Sequence, residues 1–203
     1  AFSVFGVSAT SSIGLGLAYH DVVYVAGVSK LFDNLDTANE SLSAATLDRT
    51  ARRVLGRRVD PRHGGIIDRV VTEAMALIGC TTIDHHLSND AELWARYHGS
   101  LGTEASVSFP DVLVMLDCDL SGLGCEDYSE FVDRQDHIII ESSSTGEWGD
   151  DVAGSRRSCA NFLKQLLPSA SREGIFRTSL GRAAWEKRAM KNITTFVENY
   201  GSK

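Results

Sequence analysis

The sequence predicts an all-α protein on three observations. Apolar residues recur at three- and four-residue steps wherever a long pattern exists, which is the period of one helix face. Proline is scarce, with 3 in 203 residues, so long helices run uninterrupted. Strands and helices do not alternate, which argues against a doubly wound α/β fold. Hydrophobic residues at 43% and charged residues at 23% suit a chain that buries a core, and they exclude disorder, collagen-like repeats and small disulfide scaffolds. With neither a linker nor an internal repeat, a single domain over residues 1–203 is expected.

The elements follow in order. Ala1 to His20 carries no charge and has the length of a bilayer span. Ser3, Ser8, Thr10, Ser11 and Ser12 dilute it, and no basic stretch precedes it. A helix buried inside the domain is therefore expected, rather than a signal peptide or transmembrane anchor. Ile66, Ile67, Val70, Val71, Ala74, Leu77 and Ile78 form one apolar stripe over several turns. Val112 to Leu116 and Ile138 to Ile140 are short apolar runs, read as buried helix turns. Cys159, Phe162, Leu163, Leu166 and Leu167 make another stripe, which Pro168 stops. Trp185, Ala189, Ile193, Phe196 and Tyr200 step by four, four, three and four. Loops are expected at Val59–Gly65, Gly99–Pro110 and Ser142–Asp151, each rich in Gly, Ser, Pro or Asp.

A net charge of −7 disfavours direct nucleic-acid binding, which leans on Lys and Arg to release counterions. Arg49, Arg52, Arg53, Arg57, Arg58 and Arg62 form a local basic stripe, read first as a solvated helix face and loop. Docking of an acidic partner, RNA or lipid headgroup, or capture of a substrate phosphate, are the alternatives. Cys80, Cys118, Cys125 and Cys159 lack metal-site spacing and read as buried, reduced thiols. Trp94, Trp148 and Trp185 read as core or interface anchors. There is no P-loop, no dinucleotide fingerprint and no nucleophile elbow.

What could carry chemistry is a set of His and Asp residues in apolar company. His20-Asp21 ends the uncharged run and precedes Val22 to Val25. Asp117-Cys118-Asp119 follows Val112 to Leu116. Asp84-His85-His86 is read as closing the Ile66–Ile78 helix. A carboxylate inside a buried helix costs several kcal/mol unless paired or metal-bound, so each placement needs a partner. Imidazole and carboxylate together suit a divalent Mn, Fe, Ni, Co, Zn or Mg ion. Helix-end polar pairs and ion pairs to buried arginines are the other readings, and a helix C-terminus favours His on dipole grounds alone.

These stretches resemble a family. Ala18-Tyr19-His20-Asp21-Val22-Val23-Tyr24 resembles the helix carrying the His-Asp motif of HD-domain phosphohydrolases, and looks closest to the predicted metal-dependent group among them. Asn39-Glu40-Ser41-Leu42-Ser43-Ala44, Thr82-Ile83-Asp84-His85-His86 and Leu116 to Gly124 resemble further motifs of that group, followed by Tyr128 and Arg134. Ile175-Phe176-Arg177-Thr178 and Glu186, Ala189, Asn192 and Ile193 resemble its closing helices. The resemblance runs from about Ala18 to Asn199.

It implies an HD-domain-like helical bundle with His20, Asp21 and Asp119 as ligands of a divalent ion (Mn, Fe, Ni, Co or Mg). Asp21, Asp117, His85 and His86 would serve catalysis, Asp117 as a carboxylate beside the ligands or a structural one. Asn39 and Glu40 would line the substrate pocket. The implied activity is metal-assisted hydrolysis of a nucleotide or other small phosphate ester. The group's pattern also has a histidine upstream of the His-Asp pair, and none precedes His20. On that departure rests the alternative, a catalytically degenerate HD-fold subunit whose partners are other proteins. The Ala start is read as a processed leader or a piece of a longer chain, so a cytoplasmic or mitochondrial location is expected.

Overall fold

The computed structural model describes residues 7–19, 38–55, 64–98, 107–143, 152–168 and 173–201. Among them there are helices and turns and no strand, so the fold is all-α. Those up to Leu116 belong to one compact unit and those from Asp117 onward to a second.

The first unit is built on α1 (Val7–Tyr19), α2 (Ala38–Leu55) and α3 (Gly64–Ile78). Both α1 and α2 pack on α3. The α3 stripe does what its period predicts, with Val71, Ala74, Leu77 and Ile78 buried. Leu47 of α2 joins Val71, Ala74 and Ile78, while Ile13 of α1 joins Leu77. Glu73 is also buried, at 5% exposure. It is matched there by the Ser12 hydroxyl, which donates at 2.7 Å, and by Arg69 Nε at 2.7 Å, as a buried carboxylate requires.

Several expectations are corrected here. Helix α1 buries one face, Ser12, Ile13 and Gly16, and leaves Gly14 and Ala18 exposed. Gly64 and Gly65 open α3 rather than belonging to the preceding loop. Asp84-His85-His86 does not close that helix. The chain turns at Gly79–Thr81, whose N–H groups bond back to the carbonyls of Met75, Leu77 and Ile78. It then starts a separate short helix, α4 (Ile83–Leu87), after the extended Thr82.

Next comes α5 (Asp90–Arg96), opened by a reciprocal cap in which Asn89 accepts from the Glu92 N–H and Glu92 from that of Asn89. Such caps are worth roughly 1 kcal/mol. Helix α6 (Phe109–Asp119) takes in the last two residues of the expected loop, with Pro110 in the first turn where its missing N–H costs nothing. Val112, Met115 and Leu116 are buried and Leu113 and Val114 partly so. Trp94 is 49% exposed and stacks edge-on with Phe109, so it is a surface aromatic rather than a core one.

The second unit takes in the end of α6, a 3₁₀ turn (Leu120–Gly124), α7 (Tyr128–Ser143) and α8 (Val152–Leu166). It finishes with a short α9 (Ser179–Gly181), one π-helical turn (Arg182–Glu186) and α10 (Lys187–Tyr200). On α10 the buried Ala189, Asn192, Ile193 and Phe196 follow the helical period. They pack on α8, whose Cys159, Leu163 and Leu166 are buried and which ends just before Pro168, as expected. Phe131 of α7 meets Phe196 edge-on, with centroids 5.8 Å apart. Arg156 of α8 grips Asp136 of α7 with two bonds, at 3.0 and 2.6 Å, and lies over the Tyr200 ring. Ile138 to Ile140 are helical but not all buried. Successive residues turn by about 100°, so Ile139 points inward while Ile138 and Ile140 stay 44% and 65% exposed.

Candidate functional site

The densest polar construction among the described residues is a clamp on residues 175–178. Asp117, near the end of α6, is 3% exposed. Its Oδ1 accepts the Arg177 N–H at 2.5 Å, and its Oδ2 accepts the Thr178 N–H at 2.8 Å and the Thr178 hydroxyl at 2.6 Å. Glu186, at the end of the π turn, accepts the N–H groups of Ile175 and Phe176 at 2.9 and 3.0 Å. Two carboxylates thus hold four consecutive backbone donors that no helix ladder serves, the demand that every buried N–H makes. Thr178 Oγ1 in turn accepts the Gly181 N–H at 2.9 Å and caps the next helix. Glycine is needed at 181, because a Cβ there would run into the Asp117 carboxylate.

A second layer fixes the 3₁₀ turn to α10. The Asn192 amide donates to the carbonyls of Leu123 and Cys125, at 3.0 and 3.1 Å. Arg188 donates to the Gly124 and Ala184 carbonyls and pairs with Glu126. Gly124 lies so close to Trp185 that a Cβ would overlap it. The end of α6, the 3₁₀ turn, the 175–178 segment and the start of α10 are therefore one bonded assembly within the second unit.

Asp119, an expected metal ligand, lies at the junction of α6 and the 3₁₀ turn and is half-buried. Cys118 between the two aspartates has its thiol pushed up by burial first and by the charges of Asp117 and Asp119 after it. His85 and His86 belong to the first unit, on α4. His85 is half-buried and its Nδ1 pairs with the Thr82 hydroxyl. Burial, and then the charges of Arg96 and His86, lower its pKa below the ordinary 6.5, so a neutral imidazole is favoured at neutral pH. His86 is buried at 5% exposure, and Asp84 pairs loosely with Arg96 at 3.4 Å. Glu40 sits half-buried in the first turn of α2. Asn39 is in the same turn, but its side chain, like His20 and Asp21, lies outside the described residues.

Among the described residues no three His, Cys, Asp or Glu side chains converge as a metal site would. Of the basic stripe, Arg49, Arg52 and Arg53 are all exposed on α2, as a solvated face would be, and Arg52 pairs with Asp48. No disulfide is present. Cys80 and Cys159 are buried, while Cys118 and Cys125 are only partly so. No described helix is long and apolar enough to cross a membrane.

Sequence reasoning gave no role to Glu186, Asn192 or Glu73. Glu186 and Asn192 carried a signal, since they fall on one helix face with the apolar Ala189 and Ile193. Glu73 carried none, being a single acid two residues after Val71 in a stripe. No protein-family model, no curated protein and no solved structure matches this chain.

Proposed function

We propose that the chain is a metal-dependent phosphohydrolase of the HD type, acting on a nucleotide or other small phosphate ester. The observation that supports the reading is the bonded assembly of the second unit. Three separate stretches that resemble HD motifs are joined there by direct hydrogen bonds: Asp117 to Thr178, Glu186 to Phe176 and Asn192 to Leu123. In this reading His20, Asp21 and Asp119 hold the ion, and Asp119 offers the hard oxygen donor that such ions accept. A bound divalent ion would lower the pKa of a water and polarise the phosphoryl oxygen. Asp117 is then a positioning residue: by anchoring the end of α6 to residues 177–178 it fixes the backbone two residues before the Asp119 carboxylate.

The test is elemental analysis of the purified protein after supplementation with Mn, Fe, Co, Ni or Mg, beside Asp119→Ala. A screen against nucleotides and simple phosphate esters accompanies it. About one ion per chain, lost in the variant together with phosphate release, is the expected result. No bound metal and no turnover would overturn it.

A second reading, a degenerate HD-fold subunit of a larger assembly, draws on the same assembly from the other side. Asp117, Glu186 and Asn192 are spent on backbone groups, so packing accounts for their presence without any chemistry. Co-purification of stoichiometric protein partners with a metal-free chain is its expected outcome.

A further inference from the structure

The second unit holds an open surface cavity of about 410 Å³ between the start of α7 and α10, lined by Glu126, Asp127, Tyr128, Arg188, Lys191 and Asn192. Its polar groups divide into those already satisfied and those left over. Arg188 is satisfied, with its guanidinium shared among Gly124 O, Ala184 O and Glu126. The Asn192 amide nitrogen is satisfied by two carbonyls, which also fixes the orientation of the amide. Its oxygen then faces away from them and has no partner among the described residues, although the residue is only 3% exposed. A buried amide oxygen without a donor is uncommon in folded proteins.

Two charges are left over as well. The Lys191 ammonium makes no ion pair among the described residues. Asp127 uses Oδ1 for the Ser129 N–H and hydroxyl, and those bonds lower its pKa. Its Oδ2 has no partner among the described residues. The Tyr128 hydroxyl accepts from Asn199, two turns along α10 from Asn192, and is occupied there. The lining thus carries two acids and two bases, of which Lys191 makes no ion pair and Asp127 keeps one oxygen, Oδ2, without a partner among the described residues.

We propose that this cavity binds a small zwitterion of the free α-amino acid class. Its ammonium donates to Asn192 Oδ1 and Asp127, and its carboxylate accepts from Lys191. The balanced lining charge selects against a phosphate dianion, which would bring two negative charges to one free ammonium and one free carboxylate. The volume falls in the range of small-molecule sites. The inference concerns binding and does not rest on hydrolysis.

The test is isothermal titration calorimetry of the full chain with each common free L-α-amino acid, up to roughly 10 mM. For the best binder, the amine lacking its carboxylate and the hydroxy acid lacking its ammonium follow, and glycerol 3-phosphate serves as the anion probe. The expected result is saturable binding of at least one amino acid, weakened about tenfold or more in each half-analogue and about tenfold by Lys191→Met. Lys191 is exposed, so that variant keeps the fold. Asn192 is structural, so its part is read in the wild type, by a shift of its side-chain amide resonances on titration. Any of four results would overturn the proposal: no saturable heat with any amino acid, a half-analogue that binds equally well, an unmoved Asn192 amide, or tighter binding of glycerol 3-phosphate.

Discussion

Replacing Asp117 by Asn changes one oxygen to NH₂ and should unsettle the whole 175–178 segment. Three donors converge on the carboxylate, the N–H groups of Arg177 and Thr178 and the Thr178 hydroxyl. A hydrogen bond to a charged acceptor contributes about 1.5–3 kcal/mol, and one between neutral groups about 0.5–1.5. Losing charge assistance on three bonds therefore costs about 3 kcal/mol. Whichever way the new amide sits, the N–H of Arg177 or that of Thr178 faces its NH₂, which cannot accept, and loses this acceptor. Close packing at Gly181 keeps a water from taking over. With an m-value near 2 kcal/mol/M, the urea midpoint of the second unit, read by tryptophan fluorescence with Trp94 and Trp148 replaced by Phe, should fall by about 1.5 M. Asp133→Asn, at an exposed site on α7, is the control and should stay within about 0.5 kcal/mol of wild type. A folded Asp117→Asn protein within about 1 kcal/mol of wild type would refute the argument.

Three other outcomes are expected. Glu186→Gln should cost about 2 kcal/mol through its two backbone bonds, and the double variant with Asp117→Asn should depart from additivity by at least about 0.5 kcal/mol. His85 has a folded pKa below its ordinary value, so the unfolded chain binds more protons just below pH 6.5 and stability rises with pH there. The stability is full above that pH and is lost as pH falls through the folded pKa, and Tm between about pH 5 and 7.5 should flatten in His85→Gln. The Cys80 and Cys159 thiols are buried and pushed up to about 12, so native labelling with a thiol reagent should stop at Cys118 and Cys125, with all four modified in urea; early modification of Cys80 would count against this packing.

The helices were legible wherever a stripe ran for several turns. The α3, α8 and α10 stripes bury the residues that their period assigns inward, and Pro168 marks its stop. Legibility failed where three-dimensional partners decide. Three successive isoleucines at 138–140 look uniformly buried, yet a helix can turn only one of them fully inward. The turn at Gly79–Thr81 was marked only by Gly79 directly after Ile78 and by Thr82 before the next helix, brief signals beside the long α3 stripe, so the separate helix bearing His85 and His86 was missed. The division between units falls inside α6, at Leu116–Asp117, within one continuous helix where no linker signal marks it. At the candidate site, Asp117 stood out as a carboxylate needing a partner. That the partners are backbone N–H groups 60 and 61 residues away is a property of the fold, and short patterns cannot encode it.

The span of that clamp sets a schedule for synthesis. Asp117 leaves the ribosome some 60 residues before Arg177, a wait of about 3–12 s at ordinary elongation rates. Glu186 and its donors are only 10 or 11 residues apart and emerge almost together. Throughout the wait the end of α6 can satisfy its carboxylate only with water, so the second unit cannot close around it. A nascent chain stalled short of Thr178 should remain protease-sensitive from Asp117 onward, and one stalled after Glu186 has cleared the exit tunnel should not.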